Sequence, residues 1–243
     1  MRKLIAYPLT ILFFISFAIS LVVFHPIQWI CYNVFGYEAH KRSVAILNWF
    51  LLRSTNFLGT RYRFTGLEQL PTDRPLIVVT NHQSMYDIPP IIWYMRKFHP
   101  KFVSKKELGK GIPSVSFNLR YGGSVLIDRK DSKQALGAIA QLGAYIEKHK
   151  RTAVIFPEGT RSRDGKPKKF HSSGLRVLIE NAPNALIVPI SINNSWKMVR
   201  YGKFPLGIGN YIQHTVHSPL EINKEADELI KDIERIIVAG IHV

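Results

Sequence analysis

Two apolar patterns divide the chain. From Leu4 to Tyr37 there is no Lys, Arg, Asp or Glu, and Pro8 to Phe24 is almost continuously apolar. That stretch reads as a helix for lipid, but at about 1.5 Å per residue it reaches only ~26 Å, short of a hydrocarbon core of ~30 Å. His25-Pro26 is expected to interrupt it, because proline removes an N–H and crowds the preceding turn. Basic residues flank it on both sides, Arg2 and Lys3 before and Lys41, Arg42 and Arg53 after. A spanning helix biases positive charge to one side. The expectation is therefore a hairpin or interfacial anchor with both ends cytoplasmic. Ser43 to Leu58, with Trp49, Phe50, Leu51, Leu52 and Phe57, is expected to be a further helix lying against the membrane surface. A secretory signal is the rival reading, with Ala18-Ile19-Ser20 as a loose cleavage site. The apolar character continues through Val22, Val23, Phe24, Trp29 and Ile30, unlike the start of a mature secreted chain.

Beyond this segment, apolar residues come in short runs separated by turns. Arg61 to Thr65, Leu76 to Thr80, Lys101 to Ser104, Ser124 to Ile127, Ala153 to Phe156, Leu186 to Ile190 and Tyr211 to Val216 are predicted strands. Ile88 to Lys97, opened by Pro89 and Pro90, is a predicted helix, as are Asp131 to His149, Ser172 to Asn181 and Lys224 to Val238. Short apolar strands alternating with helices indicate an α/β domain with a mostly parallel sheet flanked by helices. The predicted organisation is a membrane-anchoring helical segment over residues 1–58 and an α/β catalytic domain over 59–243. There is no internal repeat and no low-complexity tract.

Charge narrows the partners. Lys and Arg exceed Asp and Glu by 33 − 17 = 16 in 243 residues, so the protein is drawn to nucleic acid, an anionic bilayer or phosphorylated substrates. The apolar N-terminus favours the bilayer. The single Cys31 excludes an internal disulfide and agrees with a reducing compartment.

The chemistry-bearing residues lie at predicted strand ends. Asn81-His82-Gln83-Ser84-Met85-Tyr86-Asp87 follows Leu76–Thr80 and sets an imidazole five residues before a carboxylate. A neutral imidazole accepts a proton near neutral pH, and a carboxylate on its other nitrogen fixes the tautomer and stabilises the imidazolium. Downstream come Gly123-Ser124-Val125-Leu126-Ile127-Asp128-Arg129, Phe156-Pro157-Glu158-Gly159-Thr160-Arg161-Ser162 and Ile187-Val188-Pro189-Ile190. In sheets of this kind sites form at the carboxyl ends of strands, where His82 and Glu158 both fall.

In order and spacing these four blocks resemble those of the glycerolipid acyltransferases, the 1-acyl-glycerol-3-phosphate acyltransferases, over roughly residues 40–220. The resemblance implies a glycerol-3-phosphate acyltransferase-like fold, with His82 as general base and Asp87 as its orienting partner. It implies that Glu158, Gly159 and Arg161 help bind a phosphorylated acceptor. Arg129 either adds a phosphate contact or pairs with Asp128, and Lys105 either matches a basic position near the phosphate or is a surface lysine. A polar turn closed by a Glu158–Arg161 pair is the alternative for the third block. The second block departs from the family, with Ser124 and Leu126 where bulkier or aromatic residues are common.

The activity implied is transfer of an acyl chain from acyl-CoA or acyl carrier protein to 1-acyl-glycerol-3-phosphate (lysophosphatidic acid), giving phosphatidic acid at the cytoplasmic face of a membrane. Other acceptors of the same class are glycerol-3-phosphate, another lysophospholipid or a lyso-aminolipid. Ser84 suits a turn better than a nucleophile, and the chain has no Gly-x-Ser-x-Gly elbow. No cofactor and no metal are expected: on a strand His214 and His217 would face opposite sides. A non-catalytic basic membrane-binding protein would leave His82, Asp87 and Glu158 unexplained. A nucleic-acid partner is not expected, since no basic groove interleaved with aromatics is present.

Overall fold

A computed structural model describes residues 2–242. The chain runs α1 (Arg2–Ser54), β1 (Arg61–Thr65), β2 (Leu76–Thr80), α2 (Ile88–Tyr94), β3 (Pro100–Lys105), α3 (Val115–Tyr121), β4 (Val125–Ile127), α4 (Ser132–His149), β5 (Thr152–Ile155), α5 (Ser172–Glu180), β6 (Leu186–Asn193), β7 (Tyr211–Val216) and α6 (Ala226–Ala239). The seven strands form one sheet in the order β1-β7-β6-β2-β5-β3-β4. All neighbours are parallel except β6 and β7, which are antiparallel.

Every residue of β2, β5 and β6 is buried, as continuous apolar runs in a doubly covered sheet require. Side chains alternate between faces. Leu76, Val78, Val154, Val188 and Ile190 join one core with Ile91 of α2, Met95 just after it and Phe13 of α1. Ile77, Val79, Ala153, Ile155 and Ile187 join the other, under Ile139, Leu142 and Ile146 of α4, Leu175 and Leu178 of α5, and Ile233 and Ile237 of α6.

The α1 segment departs from expectation in two ways. Helix continues through Pro26 and breaks instead at Gly36, whose φ of 76° and ψ of −165° lie outside the helical region. Proline bends a helix, whereas a backbone with this positive φ favours glycine. The loop before α3 also clasps the helix just before the proline. Ser114 donates its hydroxyl to the Leu21 carbonyl at 2.6 Å and its N–H to His25 Nδ1 at 3.1 Å. Second, the part after Gly36 folds back on the part before it, as the expected hairpin does, but packs inward instead of lying on a membrane surface. Ser16 and Ser54 hydroxyls meet at 2.8 Å, and Phe24 packs on Leu47 and Leu51. The stretch expected to lie on a membrane surface is thus largely an inner arm, with Val44, Leu47, Leu51 and Leu52 buried.

The outer arm has two faces with different destinations, one mixed and one apolar. Ala6, Thr10, Phe13, Ser20, Phe24 and Gln28 recur at helical spacing and are buried against the protein. Leu4, Ile5, Ile11, Leu12, Phe14, Ile15, Ile19, Val22 and Val23 are exposed.

Smaller differences are physical. The helix at Ile88 stops at Tyr94 and gives way to a 3-10 turn at Arg96–Phe98, and β6 extends three residues beyond Ile190. Helix α3 carries no strong sequence signal, because it is short and flanked by Pro113 and Gly122.

Candidate active site

Sheet order lines up the sequence blocks. Strands β2, β5, β3 and β4 are consecutive neighbours, so their carboxyl ends place His82, the Phe156–Arg161 turn, Lys105 and Arg129 along one edge. In a parallel sheet this is the edge where helix starts and loops converge.

After β2 the chain leaves the ladder gradually. The Asn81 amide takes over the strand's role, donating to the Ile192 carbonyl at 2.9 Å and accepting from its N–H at 2.7 Å. The chain then turns so that Ser84 caps the 3-10 turn Met85–Asp87, with a reciprocal bond from the Ser84 N–H to Asp87. This capping box draws the Asp87 carboxylate back under His82.

His82 Nδ1 lies 2.8 Å from Asp87 Oδ2, and the Asp87 side chain is fully buried. The same oxygen accepts from the N–H groups of Gln83 at 2.8 Å and Ser84 at 3.0 Å. Burial pushes this carboxyl up, but the hydrogen bond and charge of His82 outweigh it and hold it below its ordinary value. An ionised Asp87 accepts from Nδ1–H, which leaves the Nε2 lone pair of His82 free to take a proton. The ring is further fixed by stacking on Phe156 at 4.2 Å between centroids.

The third block touches the first through the backbone. Glu158 Oε1 accepts from the His82 N–H at 3.0 Å, and the His82 carbonyl accepts from the Ser162 N–H at 2.7 Å. Glu158 is only 2% exposed, and burial pushes its carboxyl up to about 7. Its side chain is a tie between two loops. Gly159 sits at φ 67°, where an added Cβ would come within 3.3 Å of His171, so the turn needs glycine.

Arg161 is exposed, and neither a Glu158–Arg161 pair nor any other ion pair to it forms among the described residues. Asp128 is paired with Lys106 instead of Arg129. Burial lowers the Arg129 guanidinium, Glu107 partly offsets this, and the Arg161 charge lowers it further. Two guanidinium groups thus share one face with no carboxylate bound between them, which is an arrangement for gripping a phosphate. Lys105 ends β3 in register with Ile127, two residues before Arg129, and is exposed without a side-chain partner among the described residues.

Sequence reasoning missed a supporting layer. Ser84 Oγ meets Ser195 Oγ at 2.5 Å, and Gln83 Oε1 accepts from the Ser195 N–H at 2.9 Å. Ser195 and Gln83 carry no local signal, since their partners are more than a hundred residues apart in the chain. Asn81 was visible inside the motif but its structural role was not.

Comparison with known proteins shows the family and the fold. A family model described as Acyltransferase matches residues 61–193. A 1-acyl-sn-glycerol-3-phosphate acyltransferase of Chlamydomonas reinhardtii is 30% identical over 230 residues, covering 93% of this chain and 66% of that protein. One from Pseudomonas aeruginosa is 26% identical over 92% of this chain and 89% of its own length. The crystal structure of the 1-acyl-sn-glycerophosphate acyltransferase PlsC from Thermotoga maritima superposes with a TM-score of 0.81 at 26% identity. The match covers 99% of this chain and 96% of that one.

Proposed function

The chain belongs to the acyltransferase family, and we propose that it transfers a fatty acyl group from acyl-CoA or acyl carrier protein to the free hydroxyl of 1-acyl-glycerol-3-phosphate, giving phosphatidic acid. The observation that carries this reading is the 2.8 Å contact between His82 Nδ1 and a fully buried Asp87 carboxylate, beside two guanidinium groups that no carboxylate pairs among the described residues.

In the proposed step the acceptor hydroxyl gives its proton to His82 Nε2 while its oxygen attacks the thioester carbonyl carbon. Asp87 stabilises the imidazolium. The tetrahedral adduct collapses by breaking the carbon–sulfur bond, and the imidazolium returns its proton to the leaving thiolate, so no covalent enzyme intermediate is needed. A base positioned in this way contributes about 10²–10⁴ in rate. Arg161 and Arg129 hold the acceptor's phosphate, with Lys105 at the same edge, while Glu158 and Gly159 fix the loop that carries Arg161.

The exposed face of the outer arm supports membrane association, because a contiguous apolar surface of this length has no other cover. The hairpin turns both of its ends to one side, and the chain's net charge of +16 suits an anionic cytoplasmic leaflet.

The test is transfer of labelled acyl groups by purified protein in detergent. It is offered 1-acyl-glycerol-3-phosphate, glycerol-3-phosphate and lysophosphatidylcholine with each donor class. Acylation of the first alone, abolished in His82→Ala, is expected. Reaction confined to acceptors lacking a phosphomonoester would overturn the role given to Arg161 and Arg129.

A further inference from the structure

A second group of cations gathers at the opposite end of the sheet. Lys101 is the second residue of β3 and pairs in register with Ala153, near Arg151 at the start of β5. Lys105 ends the same strand at the candidate active site, roughly 13 Å away at ~3.3 Å per residue. The two clusters are therefore separate.

The bend of α1 packs against this end. Arg151 Cζ lies 3.8 Å from the centroid of the Tyr37 ring, and Lys101 Nζ lies 4.8 Å from it. Lys41 donates to His99 Nε2 at 2.8 Å, which leaves the proton on Nδ1 to be donated to the Tyr37 oxygen at 2.9 Å. His99 is held at φ 54°, a left-handed backbone unusual for a residue with a side chain.

Beside these groups lies a shallow cleft open to solvent, lined by His40, Lys41, Arg96, His99, Lys101 and Asn118 among others. No carboxylate of the described residues lines it. Glu38, outside the lining, is exposed and reaches Lys41 at 3.5 Å.

Lys101 is only 5% exposed; its ammonium sits over the Tyr37 ring and has no carboxylate partner among the described residues. Burial, then the charges of Arg151 and Lys41, push it down to about 7. His40 is 1% exposed, and its Nε2 has no hydrogen-bond partner among the described residues. A buried imidazole nitrogen is normally paired, because leaving it bare costs free energy, and an anion would accept from it and from the neighbouring ammonium groups at once.

We propose that this cleft is a second anion site, separate from the His82 centre, which holds a phosphate group over Lys101 with Lys41 and Arg96 at its rim. Two sources share that chemistry. Val34 and Phe35, just before the bend, are exposed and would place the cleft at headgroup depth when the outer arm lies in lipid. A soluble phosphate reaches the same cations from the open mouth.

The probes are inorganic phosphate, followed by calorimetric titration of the protein in uncharged detergent, and sedimentation with vesicles. The vesicles are pure phosphatidylcholine or an equal mixture with phosphatidylglycerol. Lys101→Met, and independently Lys41→Gln/Arg96→Gln should the first fold poorly, are expected to weaken phosphate binding about tenfold or more. Arg129→Gln should leave this binding event in place. If both cleft variants also lose the preference for anionic vesicles, the occupant is a lipid headgroup. If they lose phosphate binding but keep the vesicle preference, it is soluble phosphate. Wild-type protein that binds neither, or variants that bind both as wild type does, would overturn the site.

Discussion

The backbone N–H of His82 donates to Glu158 Oε1 at 3.0 Å, so the most buried carboxylate of the third block grips the main chain of the first. Seventy-six residues of sequence separate the two. The bond fixes where β2 releases His82, and with it the imidazole's height above the sheet edge. It also gives a reason for an acid beside the proposed phosphate grip, where its charge would otherwise work against an anionic acceptor.

Glu158 gives stability a sign that can be measured. Its carboxyl is raised from an ordinary 4.5 to about 7, so the folded state binds this proton more tightly than the unfolded chain does. The stabilising effect is complete below about 4.5, declines as pH rises, and is gone above about 7. Glu158→Gln keeps an acceptor for the His82 N–H and removes the titration. Thermal melts near pH 5 and near pH 7 should therefore differ less for the variant than for wild type. An unchanged slope would mean that Glu158 is ionised throughout.

Asp87 behaves oppositely. Its carboxyl is held below the ordinary range, so its contribution to stability is present above about 4 and is lost only as pH falls through the lower folded value. Asp87→Asn preserves size but offers His82 a neutral partner that cannot stabilise an imidazolium. Acyl transfer should fall by about 10²–10⁴ in kcat, with little change in KM for the acceptor. A loss confined to KM would remove Asp87 from the proton-transfer step.

The charge of Arg161 disfavours that of Arg129, and in the proposed role the acceptor's phosphate relieves this. Each single change to Gln should raise the acceptor KM about tenfold to a hundredfold, the loss of a charge-assisted hydrogen bond of about 1.5–3 kcal/mol. The double change should cost less than the sum, because the second guanidinium acts on the same group. Strict additivity in a double-mutant cycle would place the two on different parts of the substrate.

The central strands β2, β5 and β6 were legible because each is an apolar run, buried on both faces, bounded by turn residues, whereas β7 was legible from the alternation of a half-covered strand. His82 and Asp87 were legible because a capping box sets their geometry within six residues of chain. Lys101 was not. Read locally it is an ordinary strand lysine, and its burial depends on Tyr37, Lys41 and Arg151, each far away in sequence. The break at Gly36 was hidden for a related reason. Proline and glycine both interrupt helices, and only the packing of Ser114 against Leu21 and His25 decides that the chain passes Pro26 and turns later.

Phe13 and Phe14 separate the two duties of the outer arm. Phe13 is fully buried and meets Tyr86, one residue from Asp87, edge-on at 5.7 Å between centroids. Phe14, about 100° further round the helix, is 41% exposed. Phe13→Ala empties a core position and should cost about 3–5 kcal/mol of stability, read in denaturant melts. It should also lower acyl transfer, because Tyr86 then loses the surface that seats the His82–Asp87 turn. Phe14→Ala removes one ring contact, with Phe13 at 5.2 Å between centroids, from an exposed position and opens no buried cavity. It should shift the melts much less than Phe13→Ala and weaken vesicle binding about tenfold, the order expected for withdrawing one aromatic side chain from lipid. Equal effects of the two changes on both measurements would mean that the arm does not lie with one face on the protein and the other in the membrane.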